Sequence, residues 1–361
     1  MKKHLAAVLA VMGSLGFALP GRSDDVPAAT DRFPAFRLGA FADLVWSHPT
    51  GPGGKDRAAG EVDLYASSRL ANNWSALGEV LIRHTGSVDN IDLSANTWEL
   101  NLERLYVTYN PSDQLRVEIG QIHTGIIQWN EREHRSQFLQ TPIDVPAIAR
   151  RESQRGAWPL HFDGAWASGR VPGSLGAEYG VGFGAARGSE RDNIQPLFRH
   201  GISPAALFLV SVAPDALTGF EAGTSGYVGH IRAPGITLRE LDATVFSSFV
   251  RGGIEFRGEW ARMVHSQVGG PAEFVTRGWY VLGSFRPRGR WKPFRPYVLI
   301  DSLHVAPGEQ YLADVREQDG WSAGLRWDLS SRFAIKTEFR SQALGAESHR
   351  HFIRTEFALA F

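Results

Sequence analysis

From Trp321 to Arg340 the chain alternates with a period of two. Trp321, Ala323, Leu325, Trp327 and Leu329 share one face, and Ser322, Gly324, Arg326 and Asp328 share the other. After Ser330 and Ser331 the pattern resumes, with Phe333, Ile335, Thr337 and Phe339 opposite Ala334, Lys336, Glu338 and Arg340. Such a period belongs to strands, and two runs around a short polar break predict a hairpin. The alternation continues to the last residue of "HFIRTEFALAF", where Ile353, Thr355, Phe357, Leu359 and Phe361 oppose Arg354, Glu356, Ala358 and Ala360. An apolar face backed by a charged one suits a strand with lipid outside and water inside. It also suits a soluble sandwich whose core lies on the apolar side.

Turn spacing favours the first of these. Tight turns are expected near 70–74, 110–114, 170–174, 213–219, 249–253, 286–293 and 328–332. Longer polar connections lie between them, at 47–57, 85–97, 123–154, 188–204, 306–320 and 343–350. The intervening strands number about sixteen, each near the ~10 residues that a tilted spanning strand needs. Short turns at one end and long loops at the other are typical of outer-membrane barrels, whereas a sandwich has no reason to sort its loops. The expected fold is therefore all-β, a transmembrane antiparallel β-barrel. Phe361 should sit in its periplasmic aromatic girdle, closing the last strand against the first near Phe36 to Trp46, and serve as the signal for the barrel-insertion machinery. In "WELNLERLYVTY" the apolar phase slips by one residue, from Trp98, Leu100 and Leu102 to Leu105, Val107 and Tyr109. A bulge near Glu103 or a different register would each explain the slip.

The other end opens with Lys2 and Lys3, an apolar run from Leu5 to Leu19, then small residues before an acidic start. This predicts a cleaved signal peptide over residues 1–23 and a single barrel domain over 24–361. No other apolar stretch is long enough for a membrane helix, so a helical membrane protein is excluded. There is no cysteine, so backbone pairing and packing must hold an exported chain together. The 38 basic residues equal the 38 acidic ones, which argues against a nucleic-acid partner.

The longest connection, residues 123–156, exceeds the length of an inert loop. Its Ile126, Ile127, Trp129, Phe138, Leu139, Ile143 and Ile148 require burial, and the place available is inside the barrel. With the strands before it and "PLHFDGAWASGR" after it, this stretch resembles the porin-like outer-membrane proteins related to the phosphate-selective porins. The matching residues are Gly120, Gln121, His123, Thr124, Trp129, Asn130, His134, Gln140, Thr141, Pro142 and Ile143. Two departures stand out: Gly125-Ile126-Ile127 replaces a Pro-Phe-Gly-like step, and one histidine stands where a pair is common. The resemblance implies sixteen strands, a homotrimer, and a third extracellular loop folded inward to narrow the pore. Candidate constriction residues are His123, Trp129, Asn130, Arg132, His134, Arg135, Arg150, Arg151 and Glu152. Candidate lumen-wall residues are Arg326, Asp328, Lys336, Glu338, Arg340, Arg354 and Glu356. The mixture of signs suits small hydrophilic solutes or ions with a weak anion preference, and the long arginine run of a phosphate ladder is missing.

An enzyme is not expected. There is no G-x-S-x-G, and His161, His200 and His265 have no nucleophile partner in sequence. No Walker loop, dinucleotide fingerprint or cysteine-based metal spacing occurs, so no cofactor or metal is assigned. His349 and His351 could share a strand face at the rim but lack a third ligand nearby. An occluded barrel serving adhesion or envelope integrity, without transport, is the competing reading.

Overall fold

The computed structural model describes residues 35–51, 54–84, 98–133, 138–151, 156–185, 203–233 and 235–361. The expected signal peptide lies outside the described residues. The strands are β1 (Ala35–Pro49), β2 (Arg57–Ala71), β3 (Trp74–His84), β4 (Trp98–Ser112), β5 (Leu115–His123), β6 (His161–Val171), β7 (Ala177–Ala185) and β8 (Pro204–Val212). They continue with β9 (Phe220–Ala233), β10 (Ile236–Arg251), β11 (Ile254–Gln267), β12 (Glu273–Phe285), β13 (Phe294–His304), β14 (Gln318–Asp328), β15 (Phe333–Leu344) and β16 (Arg350–Ala360). Every strand pairs antiparallel with its sequence neighbours, and β16 pairs with β1 to close the barrel. Closure matters because it leaves no strand edge with unpaired N–H and C=O groups.

At the seam Phe41 faces Ala360, and the Phe361 N–H donates to the Ala40 carbonyl at 2.8 Å. Phe361 itself is exposed, at the rim that carries the short turns. That rim has the connections predicted for it. The opposite rim differs in two places, since only two residues separate β9 from β10 and only five separate β11 from β12. Those strands are 13 to 16 residues long, so the ladder extends where a loop would otherwise lie.

The side-chain alternation divides the wall. Leu100, Ile119, Phe183, Phe208, Val245, Trp260, Val281, Ile300, Leu325 and Phe357 are exposed on the outer face. Between them, Asp43, Asp63, Glu79, Arg326, Lys336, Arg340, Arg354 and Glu356 are buried. In β14, Trp321, Leu325 and Trp327 are exposed while Ser322 and Arg326 are buried, as the period of two requires.

The phase slip in β4 is a bulge. Glu79 of β3 pairs with Arg104 and Val80 with Leu102, leaving Glu103 as the extra residue. Two consecutive charged side chains, Glu103 and Arg104, are thereby buried on the same wall.

Candidate functional site

The segment between β5 and β6 is held by side chains from half the circumference of the barrel. Its described residues include a short helix, α1 (Gln128–Arg132), and a 3-10 turn at Ala147–Ala149. Ser225 of β9 and Thr244 of β10 both donate to the Ile126 carbonyl, at 2.6 and 3.1 Å. The Gln128 N–H donates to Glu259 of β11 at 2.8 Å, and the Ala147 N–H to Asp301 of β13 at 2.9 Å. Arg326 of β14 donates to the carbonyls of Phe138 and Gln140, at 2.5 and 2.8 Å. Lys336 of β15 reaches the Pro142 carbonyl at 3.2 Å, and Arg354 of β16 reaches the Asp144 carboxylate at 2.9 Å. An irregular backbone in a dry place needs such partners for its polar groups.

Two kinds of surface receive the segment. Ile126, Ile127, Trp129 and Ile148 belong to one apolar cluster with Leu207, Leu209, Tyr227, Ile231, Tyr280, Leu282, Leu299 and Leu303, on strands from β8 to β13. Trp129 meets Tyr280 edge to face, with ring centroids 5.4 Å apart. From β14 round to β4 the buried wall is charged. Lys336 pairs with Glu356 at 3.1 Å, Arg340 with Asp301 at 2.7 Å, and Arg326 with Asp328 at 2.7 Å. Glu338 lies 3.7 Å from Arg354.

Among the expected constriction residues, Arg132 pairs with Glu221 of β9 and is partly exposed. Arg150 is buried. Arg151 lies 3.5 Å from Glu103 and 3.9 Å from Glu61. Asn130 is buried in α1, its N–H donating to the Ile127 carbonyl. His134, Arg135 and Glu152 lie outside the described residues. Burial pushes the Asp144 carboxyl up, but the guanidiniums of Arg354, Arg340 and Arg150 outweigh it and hold that group well below the usual carboxylate range. Burial pushes Glu133 upward, against the opposing pull of Arg257. Arg151 loses some basicity to burial but more than regains it from Glu103 and Glu61.

The motif residues at the root of the segment have local structural work. Gly120 has φ near +137°, and a Cβ there would meet the Leu105 carbonyl oxygen at 2.2 Å. Gln121 donates its side-chain N–H groups to the carbonyls of Leu102 and Glu103, pinning the bulge. Thr124 ties the segment's start to its end, donating from Oγ1 to the Pro159 carbonyl at 2.6 Å and from N–H to the Leu160 carbonyl at 2.7 Å. Sequence reasoning did not bring together Glu103, His123 and His161, whose ligand-type atoms lie within 4.8 Å of one another. The phase slip at Glu103 was the available sign. His349 and His351 do not combine in this way: His349 approaches Ser341, and His351 stacks on Phe339.

The fold is that of the outer-membrane porins. An anion-selective porin from Comamonas acidovorans superposes with a TM-score of 0.62 at 13% identity, over 91% of this chain and 100% of that one. The outer-membrane channel DcaP of Acinetobacter baumannii gives 0.62 at 11% identity, over 91% and 97%. OmpT of Vibrio cholerae, in its trimer form, gives 0.58 at 7% identity, over 91% and 99%. No protein-family model matches the chain, and no curated protein is similar to it in sequence. The neighbours support the expected resemblance as far as the porin fold.

Proposed function

We propose that this chain is an outer-membrane channel of a Gram-negative bacterium, through which small hydrophilic solutes or ions diffuse passively with a weak preference for anions. The observation that carries this is the pairing of an apolar outer belt with an inner wall charged over half its circumference. Lipid selects the first surface and water the second. In this reading residues 123–156 fold inward as the constriction, with His123, Trp129, Asn130, Arg132, Arg150 and Arg151 around it. Support comes from hydrogen bonds to that segment from β9 round to β16, a span of strands that one segment can touch only from within the barrel. Arg326, Lys336, Arg340 and Arg354, against Asp328, Glu338 and Glu356, form the facing wall. Among the segment's described residues Arg132, Arg150 and Arg151 balance Glu131, Glu133 and Asp144, and the cations that would favour anions on the wall are Arg326, Lys336, Arg340 and Arg354. Phosphate selectivity is disfavoured because the wall cations pair with carboxylates. Residues 1–23 act as a removable leader, the barrel-insertion machinery recognises Phe361, and the assembled channel is a homotrimer that needs no cofactor.

One observation favours a second reading, an occluded barrel without transport. Lys336 and Glu356 are each 0% exposed, so the segment covers that part of the wall completely. Planar-bilayer recording decides between the two. A channel shows stable conductance steps, with reversal potentials that move toward cation preference when Arg132, Arg135, Arg150 and Arg151 are changed to Ala, and larger steps when 126–150 is deleted. A folded but silent barrel removes the channel reading.

A further inference from the structure

The bulge in β4 has a chemical consequence. It aims Glu103 at His123 and His161, which are themselves cross-strand partners at the end of β5 and the start of β6. Glu103 Oε2 lies 3.6 Å from His123 Nε2 and 3.4 Å from His161 Nε2. We propose that Glu103, His123 and His161 form a binding site for a divalent transition-metal ion of the zinc class.

Two imidazoles and one carboxylate are a ligand set that zinc and its neighbours accept, with a water completing the fourth position. Bonds of about 2.0–2.1 Å in tetrahedral geometry place adjacent ligand atoms about 3.3–3.4 Å apart, close to both carboxylate–imidazole separations here. The rings meet edge to face with centroids 5.4 Å apart, and the ligand atoms of all three residues lie within 4.8 Å of one another. Glu103 uses its two oxygens differently. Oε2 faces the histidines while Oε1 lies 3.5 Å from Arg151, which leaves the ligand oxygen facing the metal position and orients the carboxylate from behind. Gln121 fixes the Glu103 backbone from the other side. The ligands come from β4, β5 and β6 and surround the root of the segment, so the bound ion would staple the place where the chain leaves and rejoins the wall. The site does not depend on conduction.

The test uses the full chain, untagged, folded in detergent and stripped with a chelator, then dialysed against Zn2+ and titrated with Co2+ as an optical probe. The expected result is about one tightly held ion per chain and visible Co2+ bands of low coordination number. His123→Ala and His161→Ala should each weaken binding by more than the roughly 10–100-fold that loss of an outer partner costs, and Glu103→Gln should also weaken it. The His349→Ala/His351→Ala double variant should bind as the unaltered chain does. Failure of the unaltered chain to bind overturns the proposal, as does undiminished binding by the His123→Ala/His161→Ala double variant. Should that variant not fold, histidine acylation of the unaltered chain mapped by mass spectrometry replaces it. Zn2+ should then shield His123 and His161, and equal labelling with and without metal rejects the site.

Discussion

The Arg354 guanidinium, on the last strand, donates at 2.9 Å to the carboxylate of Asp144 in the segment between β5 and β6. Both groups are nearly inaccessible, at 1% and 3% exposure. In such a place, removing one partner costs more than the pair contributes, because the other charge is left buried without its counter-ion.

Arg354→Ala should therefore loosen the segment by about 3–5 kcal/mol, while leaving the barrel's ladder intact. Limited proteolysis in detergent should cut near 138–151 much faster in the variant than in the parent. Heat-dependent gel migration should be the same for both, and equal cutting rates would show that this ion pair does not anchor the segment.

Asp144 also sets an acid limit. Its carboxyl is held below the usual range in the folded protein, so the folded state binds fewer protons than the unfolded one as pH falls. The resulting stability is fully present above the unfolded value of about 4 and is lost as pH falls through the lower folded value. Protease resistance of the segment should thus persist at about pH 4 and fail only in stronger acid, and Asp144→Asn should abolish this dependence.

Glu133 has the opposite sign. Burial raises it, so it takes up a proton at a pH where ordinary carboxylates stay ionised. Its contribution to stability is greatest at low pH and falls as pH rises through its raised value. Lowering the pH from about 8 to about 5 should shift reversal potentials toward anion preference, and the Glu133→Gln variant should show a smaller shift.

Gly120→Ala places a methyl group against the Leu105 carbonyl in a backbone conformation that side chains avoid. The strain should cost about 1–3 kcal/mol or more, and it falls on the strand that pins the Glu103 bulge. The folded gel band should disappear at a lower temperature. Ser168→Ala, at a β5–β6 pair away from the bulge, serves as the comparison.

The barrel was legible because its information is local. Alternation in β14, β15 and β16 assigns each side chain to a wall, and turns such as Asn72–Asn73 fix where strands reverse. Even the bulge at Glu103 left a trace, since an extra residue must shift the apolar phase. The interior was less legible. Leu207, Leu209, Tyr227 and Ile231 alternate as lipid-facing residues would, yet they pack against the segment, because a strand with apolar residues on both faces has no period to distinguish inside from outside. Which cation meets which carboxylate was hidden for a related reason. Arg354 and Asp144 are brought together by closure of the whole ring, and nothing in the residues beside either one encodes that.

Closure also imposes an order of events. Fifteen of the sixteen ladders join strands adjacent in sequence, and only the β1–β16 seam joins strands from opposite ends of the described chain. Local hairpins can form early at small entropic cost, whereas the seam must wait for the whole ring. The segment after β5 bonds to β16 as well as to β9, so it ties the last strand to the middle of the chain. The seam where Phe41 meets Ala360 is therefore the pairing of greatest sequence separation in the barrel, and the one whose closure carries the largest entropic cost.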